Sequence, residues 1–247
     1  MESHAPAGPG ARAGPSDARV RTAVGVMARA PSSGGKTRLA PHLSSSRLAA
    51  LRAAMLAGTL RALEELPDVT IFFTPDDAEP AIAALAPLRR RVAQPGGDLG
   101  SRMLQALQFL LNVTVSDTVA EQPRCQTPDA ALLVGSDIPF LDAGHLREAV
   151  ETLQASGGVV LGPADDGGYY LIGMTQAHAG LFEAIAWGTE SVLTDTLRAA
   201  ERIGVEARLV RSAYDVDTID DLRRLERDLA SAPAGVCRDV RRWFSEG

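Results

Sequence analysis

The feature that most constrains the fold is an alternation of short apolar runs with longer helical patterns. Seven runs have the length of strands: Thr22–Ala28, Val69–Thr74, Arg91–Gln94, Ala130–Val134, Gly158–Leu161, Tyr169–Met174 and Glu206–Val210. Strands that alternate with helices predict an α/β domain with a mostly parallel central sheet and helices on both faces. The two runs within 158–174 have no helix between them, so they predict a local antiparallel pair.

Helical patterns lie between most of these runs. Residues 46–65 carry leucines at helical spacing, and Ser44 or Ser45 is placed to cap that helix. A further helix is predicted from a cap at Asp142 to about Ser156.

Composition excludes several classes of protein. The net charge is -6 and no basic stripe stands out, which argues against a nucleic-acid partner. No apolar run approaches the roughly 18 residues of a membrane span. The two cysteines, Cys125 and Cys237, have no partner spacing for a metal, and a disulfide framework is not expected, which fits a reducing cytoplasm. Nothing in the sequence excludes a homodimer.

Composition also suggests where the folded domain begins and ends. Residues 1–19 are rich in Ala, Gly, Pro and Ser without periodicity, which predicts a disordered leader. A single domain is predicted over 20–231, with a loop insertion at 114–128 and a C-terminal tail at 232–247.

The stretch GPADDGGYYLIG at 162–173 predicts an exposed acidic turn between two strands. Asp165 and Asp166 would repel each other in a core, so we expect them to face water, a metal or a polar ligand. Gly167 and Gly168 would let the backbone approach that ligand closely. An ordinary acidic hairpin turn is the alternative, because Asp-Gly is a common turn signal.

A second candidate segment, ARAPSSGGKTRLAP at 28–41, follows the first predicted strand. A loop containing Gly34 and Gly35, followed by Lys36 and Arg38, could surround phosphates with backbone N–H groups and neutralise them with two cations. A solvated basic loop is the alternative.

This loop does not match the P-loop pattern. That pattern requires glycine where the chain has Ala30, and Pro41 falls where the P-loop helix would continue.

Carboxylates follow two other predicted strands. Asp137 in LLVGSDIPF comes directly after a buried strand, which places it at the sheet edge where ligands bind and suits a magnesium or manganese ligand. Asp215 and Asp217 in YDVDT lie two residues apart on an extended piece, so both could face one ion. Alternatively, Asp137 caps the turn that follows it, and Asp217 or Thr218 caps the next helix.

Together these segments resemble a family of bacterial GT-A-like transferases, assigned as glycosyltransferases associated with radical-SAM, selenium or arsenosugar gene clusters. The resemblance extends from about Ala23 to Leu229 and rests on six motifs in the family's order: ARAPSSGGKTRLAP, GGDLGSRM, GSDIPFL, GPADDGGYYLIGM, WGTESVL and YDVDTIDDL. The wider superfamily includes nucleotide-sugar transferases and nucleotidyltransferases such as the guanylyltransferase of the cofactor F420 pathway.

The resemblance implies a GT-A, Rossmann-like fold that binds a nucleotide over the first half of the sheet. Donor phosphates are expected near Lys36 and Arg38, with a divalent metal, Mg²⁺ or Mn²⁺, on Asp137. Many GT-A glycosyltransferases carry a D-x-D metal motif, whereas this chain reads Gly135-Ser136-Asp137. A lone aspartate completed by a distal acid such as Asp217 is closer to the nucleotidyltransferase arrangement.

The resemblance to nucleotidyltransferases also implies roles for residues of the GGDLGSRM and WGTESVL motifs. Gly97 and Asp98 in GGDLGSRM are expected to meet the base or ribose, unless Asp98 only caps a helix. Trp187 is expected to form an apolar wall of an acceptor pocket together with Gly167, Gly168 and Tyr169, although a lone Trp is often a core residue.

We therefore expect a cytoplasmic transferase that takes a nucleotide-activated donor, with a nucleotide sugar as the first choice, and a small-molecule acceptor. In this interpretation Asp166, with Asp165 as its competitor, orients the acceptor hydroxyl or acts as its base. The alternatives are a nucleotidyltransferase acting on a small phosphorylated acceptor and a nucleotide-binding module without activity.

Overall fold

The computed structural model describes residues 21–112 and 128–246. The described strands are β1 (Thr22–Arg29), β2 (Val69–Thr74), β3 (Arg90–Ala93), β4 (Ala130–Gly135), β5 (Val159–Pro163), β6 (Tyr169–Met174) and β7 (Ala207–Leu209). The described α-helices are α1 (Ser45–Ala62), α2 (Glu79–Leu85), α3 (Leu99–Asn112), α4 (Ala143–Ser156), α5 (Val192–Arg202), α6 (Ile219–Ser231) and α7 (Arg238–Ser245). The predicted leader and most of the predicted insertion, including Cys125, lie outside the described residues.

The strands form one sheet in the order β3-β2-β1-β4-β6-β5-β7. Every neighbouring pair is parallel except the two pairs that involve β6. The predicted antiparallel pair within 158–174 is therefore confirmed, and the sheet is otherwise parallel. Because β6 begins where β5 ends, the acidic turn between them lies at the same edge as the carboxyl ends of β1 and β4.

Alternate residues of the strands supply two cores, one on each face of the sheet. On one face, Val26 and Leu132 pack with Leu56 of α1 and Leu153 of α4. On the other face, Leu133 packs in a cluster that includes residues of α3 and α5. Both faces are thus covered by helices, as the alternation predicts.

The helix caps follow the side chains that the sequence suggested. The Ser44 hydroxyl accepts a hydrogen bond from the N–H of Arg47 at the start of α1. The side chain of Asp142 accepts one from the N–H of His145 at the start of α4. Thr218 caps α6, because its hydroxyl accepts a hydrogen bond from the N–H of Asp221. Asp217 is therefore not needed as a cap.

The segment 232–246, set apart as a tail in the sequence, carries α7 and packs against α1. Trp243 is buried and its indole N–H donates to the carbonyl of Arg47, 3.0 Å away. The Arg47 guanidinium lies over the Trp243 ring at 4.0 Å. Helix α7 is difficult to predict from the sequence, because it is short and only two of its residues, Val240 and Trp243, are buried.

No helix among the described residues is long and apolar enough to cross a membrane.

Candidate active site

A cleft of about 1340 Å³ opens at the carboxyl ends of β1, β2 and β4 and beside the β5–β6 turn. Predicted site residues that line it are Gly35, Lys36, Arg38, Asp137, Asp165, Asp166, Gly168, Tyr169, Trp187 and Asp217. The other predicted site residues, Gly34, Gly97, Asp98 and Gly167, are outside this lining. Ligands of open α/β sheets bind at this edge, so the cleft is the candidate active site.

The loop after β1 is held at its base by a buried arginine. Arg52 on α1 donates hydrogen bonds to the carbonyls of Ala30 at 2.9 Å and Pro31 at 2.8 Å. Gly34, Gly35 and Lys36 then adopt positive φ angles of 75°, 103° and 51°. Residues after Lys36 form turns instead of a helix, so the loop differs from a P-loop as the sequence predicts.

Lys36 is turned inward and joins two segments of the cleft. Its ammonium group lies 3.0 Å from a carboxylate oxygen of Asp137 and donates to the carbonyl of Val216 at 2.6 Å. The Lys36 side chain is only 4% exposed, whereas that of Asp137 is 47% exposed. Asp137 therefore keeps a face open to the cleft while one oxygen contacts the lysine. The two residues are far apart in sequence, so no local pattern indicates their contact.

The segment after β7 brings two more carboxylates into the cleft. Asp217 lies 3.5 Å from the exposed guanidinium of Arg38. Asp215 is more enclosed, and burial together with the nearby charge of Asp166 raises its pKa to about 6. An added cation or a proton near Asp215 would relieve this repulsion.

The two aspartates of the acidic turn have different environments. A carboxylate oxygen of Asp165 accepts a hydrogen bond at 2.6 Å from the guanidinium of Arg224, which stacks over the Tyr214 ring at 3.8 Å. Asp166 forms no ion pair within the described ranges and instead accepts a hydrogen bond from the N–H of Gly168 at 2.9 Å. Of these two aspartates, Asp166 is therefore the one without a cationic partner in the described part of the chain.

Gly167 fixes how the acidic turn meets the loop before α5. Its φ angle is +85°, and a methyl group on its Cα would overlap the backbone carbonyl of Glu190. The Gly167 carbonyl also accepts a hydrogen bond from the N–H of Leu193 at 2.9 Å. Glycine is required here by both the φ angle and the close backbone approach.

Trp187, which was predicted to form a wall of an acceptor pocket, lines the cleft and is partly buried. Its ring stacks on Phe182, with centroids 6.4 Å apart and planes inclined by 22°. Gly100 of α3 lies close to the indole, because a Cβ at this position would overlap the ring. The ring is therefore held by its neighbours where it lines the cleft.

The GGDLGSRM motif places a different residue in the cleft from those predicted. The Asp98 carboxylate accepts a hydrogen bond from the N–H of Ser101 at 2.8 Å, which is the capping role left open in the sequence. Arg102 lines the cleft instead, and its guanidinium donates to the side-chain oxygen of Gln94 at 3.0 Å. The sequence could have indicated Arg102 through its spacing, because it follows the capping residue Asp98 by about one helical turn.

Sequence reasoning also missed other residues of the cleft. Arg29 and Arg52 also line the cleft as cations, and Arg224 pairs with Asp165. The pair of Arg224 with Asp165 joins segments that are distant in sequence, so no local pattern indicates it.

The carboxylates fit a hard divalent cation that is shared with phosphate oxygens. Asp137, Asp215 and Asp217 line one cleft and offer oxygen atoms, the ligand type that Mg²⁺ and Mn²⁺ prefer. Among residues 21–112 and 128–246, no group of three or more His, Cys, Asp or Glu side chains is already arranged around a metal position. Such ions commonly take only one or two protein carboxylates and complete their shell with water and substrate phosphates.

Comparisons with known proteins agree with a nucleotide-dependent transferase. The 2-phospho-L-lactate guanylyltransferase of Methanothrix thermoacetophila (strain DSM 6194 / JCM 14653 / NBRC 101360 / PT) is 27% identical over 195 residues, which cover 77% of each chain. The crystal structure of a proposed nucleotide-diphospho-sugar transferase from Desulfovibrio desulfuricans G20 is 28% identical and superposes with a TM-score of 0.79, covering 91% of this chain and 94% of that one.

More distant structures share the fold alone. A cytidylyltransferase from Leptospira borgpetersenii serovar Hardjo-bovis (strain JB197) is 14% identical with a TM-score of 0.55, covering 92% of this chain and 94% of that one. The single α/β domain is thus of the GT-A and nucleotidyltransferase type. The model of a family described as uncharacterized proteins conserved in bacteria (DUF2064) matches residues 55–189, more than half of the chain, so the protein belongs to this family.

Proposed function

We propose that the protein is a metal-dependent nucleotidyltransferase that transfers a nucleoside monophosphate from a nucleoside triphosphate to a small acceptor. The observation that carries this proposal is the position of Lys36. Its ammonium group contacts both Asp137 and the Val216 carbonyl, so the carboxylate after β4 and the Asp215–Asp217 segment meet within reach of one buried cation. This arrangement, with its carboxylates on separate segments, replaces the D-x-D pair of many sugar transferases.

The basic side of the cleft supplies the donor site. Lys36, Arg38, Arg29 and Arg102 all line it, and cations of this kind hold pyrophosphate by charge-assisted hydrogen bonds. Asp137, Asp215 and Asp217 would hold the divalent ion. When bound, this ion would neutralise charge on the phosphates and on the leaving pyrophosphate.

The transfer itself requires a nucleophile in line with the leaving group. An acceptor oxygen attacks the α-phosphorus of the donor, a new P–O bond forms, and the bond to the bridging oxygen of the β-phosphate breaks. Pyrophosphate leaves with the electron pair of that bond. Where the acceptor is a hydroxyl, its proton passes to Asp166, the unpaired carboxylate at the acceptor end.

Sugar transfer from a nucleotide sugar is the second candidate. The similarity to the Desulfovibrio protein over nearly the whole chain supports it. In that reaction the acceptor attacks the anomeric carbon of the sugar, and a nucleoside diphosphate leaves. The same cleft would serve both reactions, because cations hold a pyrophosphate group in each.

The leaving group distinguishes these reactions. The protein is first tested for binding of the four common nucleoside triphosphates and of nucleotide sugars by thermal shift, with Mg²⁺ or Mn²⁺. The best ligand is then incubated with pools of hydroxyl compounds, amines and phosphorylated metabolites, and the products are identified by mass spectrometry. Pyrophosphate release is expected. Release of a nucleoside diphosphate supports sugar transfer, and binding without any product in all pools supports the binding module.

A further inference from the structure

Charge is divided unequally between the two sides of the cleft. The basic residues of the first half of the chain that line it are Arg29, Lys36, Arg38, Arg52 and Arg102. On the opposite side, the acidic turn and the loop before α5 contribute the carboxylates of Asp165, Asp166 and Glu190. The donor side is therefore cationic and the opposite side is anionic.

Among the described residues, Arg224 is the positively charged residue that lines the anionic side of the cleft. Two carboxylates balance its charge. It donates to Asp165 at 2.6 Å and lies 3.8 Å from Asp228. Its guanidinium plane is also covered by the Tyr214 ring. An anionic group of a substrate that approaches this arginine would also meet the carboxylates of Asp165 and Asp228.

Of the three cleft-lining carboxylates on this side, those of Asp166 and Glu190 have no ion-pair partner in the described part of the chain, whereas Asp165 pairs with Arg224. Asp166 bonds only to a backbone N–H of its own turn. Glu190 is exposed at the rim, and its backbone is packed against Gly167, which brings the two acidic segments together. Carboxylates that line a concave cleft concentrate their field there and repel an anion.

We propose, on the basis of the nucleotide-transfer function above, that the acceptor is an uncharged or amine-bearing hydroxyl compound and not a phosphorylated or carboxylated one. The acceptor lies between Trp187 and the acidic turn. The acidic side then attracts an ammonium group or accepts hydrogen bonds from hydroxyls, and the indole packs against an apolar face of the ligand.

The unpaired carboxylate of Asp166 is a chemical reason to expect a hydroxyl acceptor and not a phosphate. A phosphate nucleophile is largely ionised near neutral pH, because its second pKa is about 6, and it needs no base. A hydroxyl keeps its proton and reacts faster when a positioned carboxylate accepts that proton in the transition state. A carboxylate without a cationic partner at the acceptor end is useful for a hydroxyl and unfavourable for a phosphate.

The test uses three probes with one sugar ring and different charges: glucosamine, glucose and glucose 6-phosphate. Each is titrated into the full-length protein that has been saturated with Mg²⁺ and a nucleoside triphosphate whose α,β-bridging oxygen is replaced by methylene. Binding is followed by ligand-observed NMR. We expect glucosamine and glucose to bind at least about fivefold more tightly than glucose 6-phosphate, a ratio typical of one screened like-charge contact.

The second part of the experiment reverses the charge of Glu190 at the rim of the cleft. Glu190→Lys is expected to reduce or reverse the preference against glucose 6-phosphate. Glu183→Lys is the matched control, because Glu183 is also exposed and lies in the same connection but outside the cleft. This control should keep the wild-type order of affinities.

Binding of the donor analogue, measured first, separates the two proposals. If no nucleotide binds, the proposed function and the inference that rests on it both fail. If the nucleotide binds and glucose 6-phosphate is preferred, or if the three probes show no difference, including no binding by any of them, only the inference about the acceptor is overturned.

Discussion

The ammonium group of Lys36 lies 3.0 Å from the carboxylate of Asp137, although the two residues belong to the loops after β1 and β4. The same ammonium donates to the Val216 carbonyl, so one buried cation connects three segments at the carboxyl edge of the sheet. A phosphate bound in this cleft would meet a cation whose position is already fixed. Little side-chain entropy would then be lost when the donor binds.

Removing this cation should weaken donor binding. Lys36→Met keeps most of the length of the side chain but removes its charge, and we expect it to cost about 1.5–3 kcal/mol of nucleotide affinity, the range for hydrogen bonds to charged groups. Arg38→Met should cost less, because the Arg38 side chain is 72% exposed and its pair with Asp217 is long, at 3.5 Å. Calorimetric titration of the best-binding nucleotide measures both. Equal losses would show that burial of Lys36 does not matter.

The two aspartates of the acidic turn should differ in their effect on turnover. Asp166→Asn is expected to slow transfer to a hydroxyl acceptor by about a hundredfold or more at saturating donor, because general bases contribute about 10²–10⁴-fold. Asp165→Asn should be milder, because Asp165 is neutralised by Arg224. Donor affinity is measured in parallel and should stay close to normal in both. A larger loss for Asp165 would mean that the roles of the two residues are exchanged.

The contact between Gly167 and Glu190 can be tested through stability. Gly167→Ala is expected to lower the free energy of unfolding by about 1–3 kcal/mol more than Gly188→Ala, the usual cost of overpacking. Both glycines have positive φ angles, 85° and 81°, but only at Gly167 would a methyl group meet backbone. Urea denaturation of the two variants measures the difference. Equal destabilisation would indicate that the φ angle alone requires glycine.

The packing of α7 predicts a large effect at Trp243. Trp243→Ala should lower the free energy of unfolding by about 3–5 kcal/mol, as is usual for a buried aromatic residue. Arg242→Ala on the exposed side of the same helix should change it by less than about 0.5 kcal/mol. Urea denaturation again gives both values. A small effect at Trp243 would mean that α7 contributes little to the fold.

The sheet could be predicted closely because its signals are local. The apolar runs matched the seven described strands to within one or two residues, and the missing helix between β5 and β6 predicted their antiparallel pairing. Asp137 was placed at the cleft by one local fact, that it directly follows a buried strand. Such inferences need only the order of elements and the direction of strands.

The pairs that decide the electrostatics of the site could not be predicted in this way. The contacts of Lys36 with Asp137, Asp165 with Arg224, and Gly167 with Glu190 each join segments that are distant in sequence. They depend on side-chain packing after the sheet has formed. For Asp98 the sequence left two roles open, a contact with the nucleotide and a helix cap. Its carboxylate accepts a hydrogen bond from the N–H of Ser101, and the residue is outside the lining of the cleft.

Calorimetric titration of nucleoside triphosphates and nucleotide sugars, with and without Mg²⁺, into wild type and Asp137→Asn tests the proposed metal-dependent donor site. We expect saturable binding of a triphosphate at one site that depends on the divalent ion. This binding should lose its metal dependence in Asp137→Asn, while the variant stays folded by circular dichroism. Absence of saturable binding for every nucleotide, or unchanged metal-dependent binding in Asp137→Asn, would contradict the proposed function.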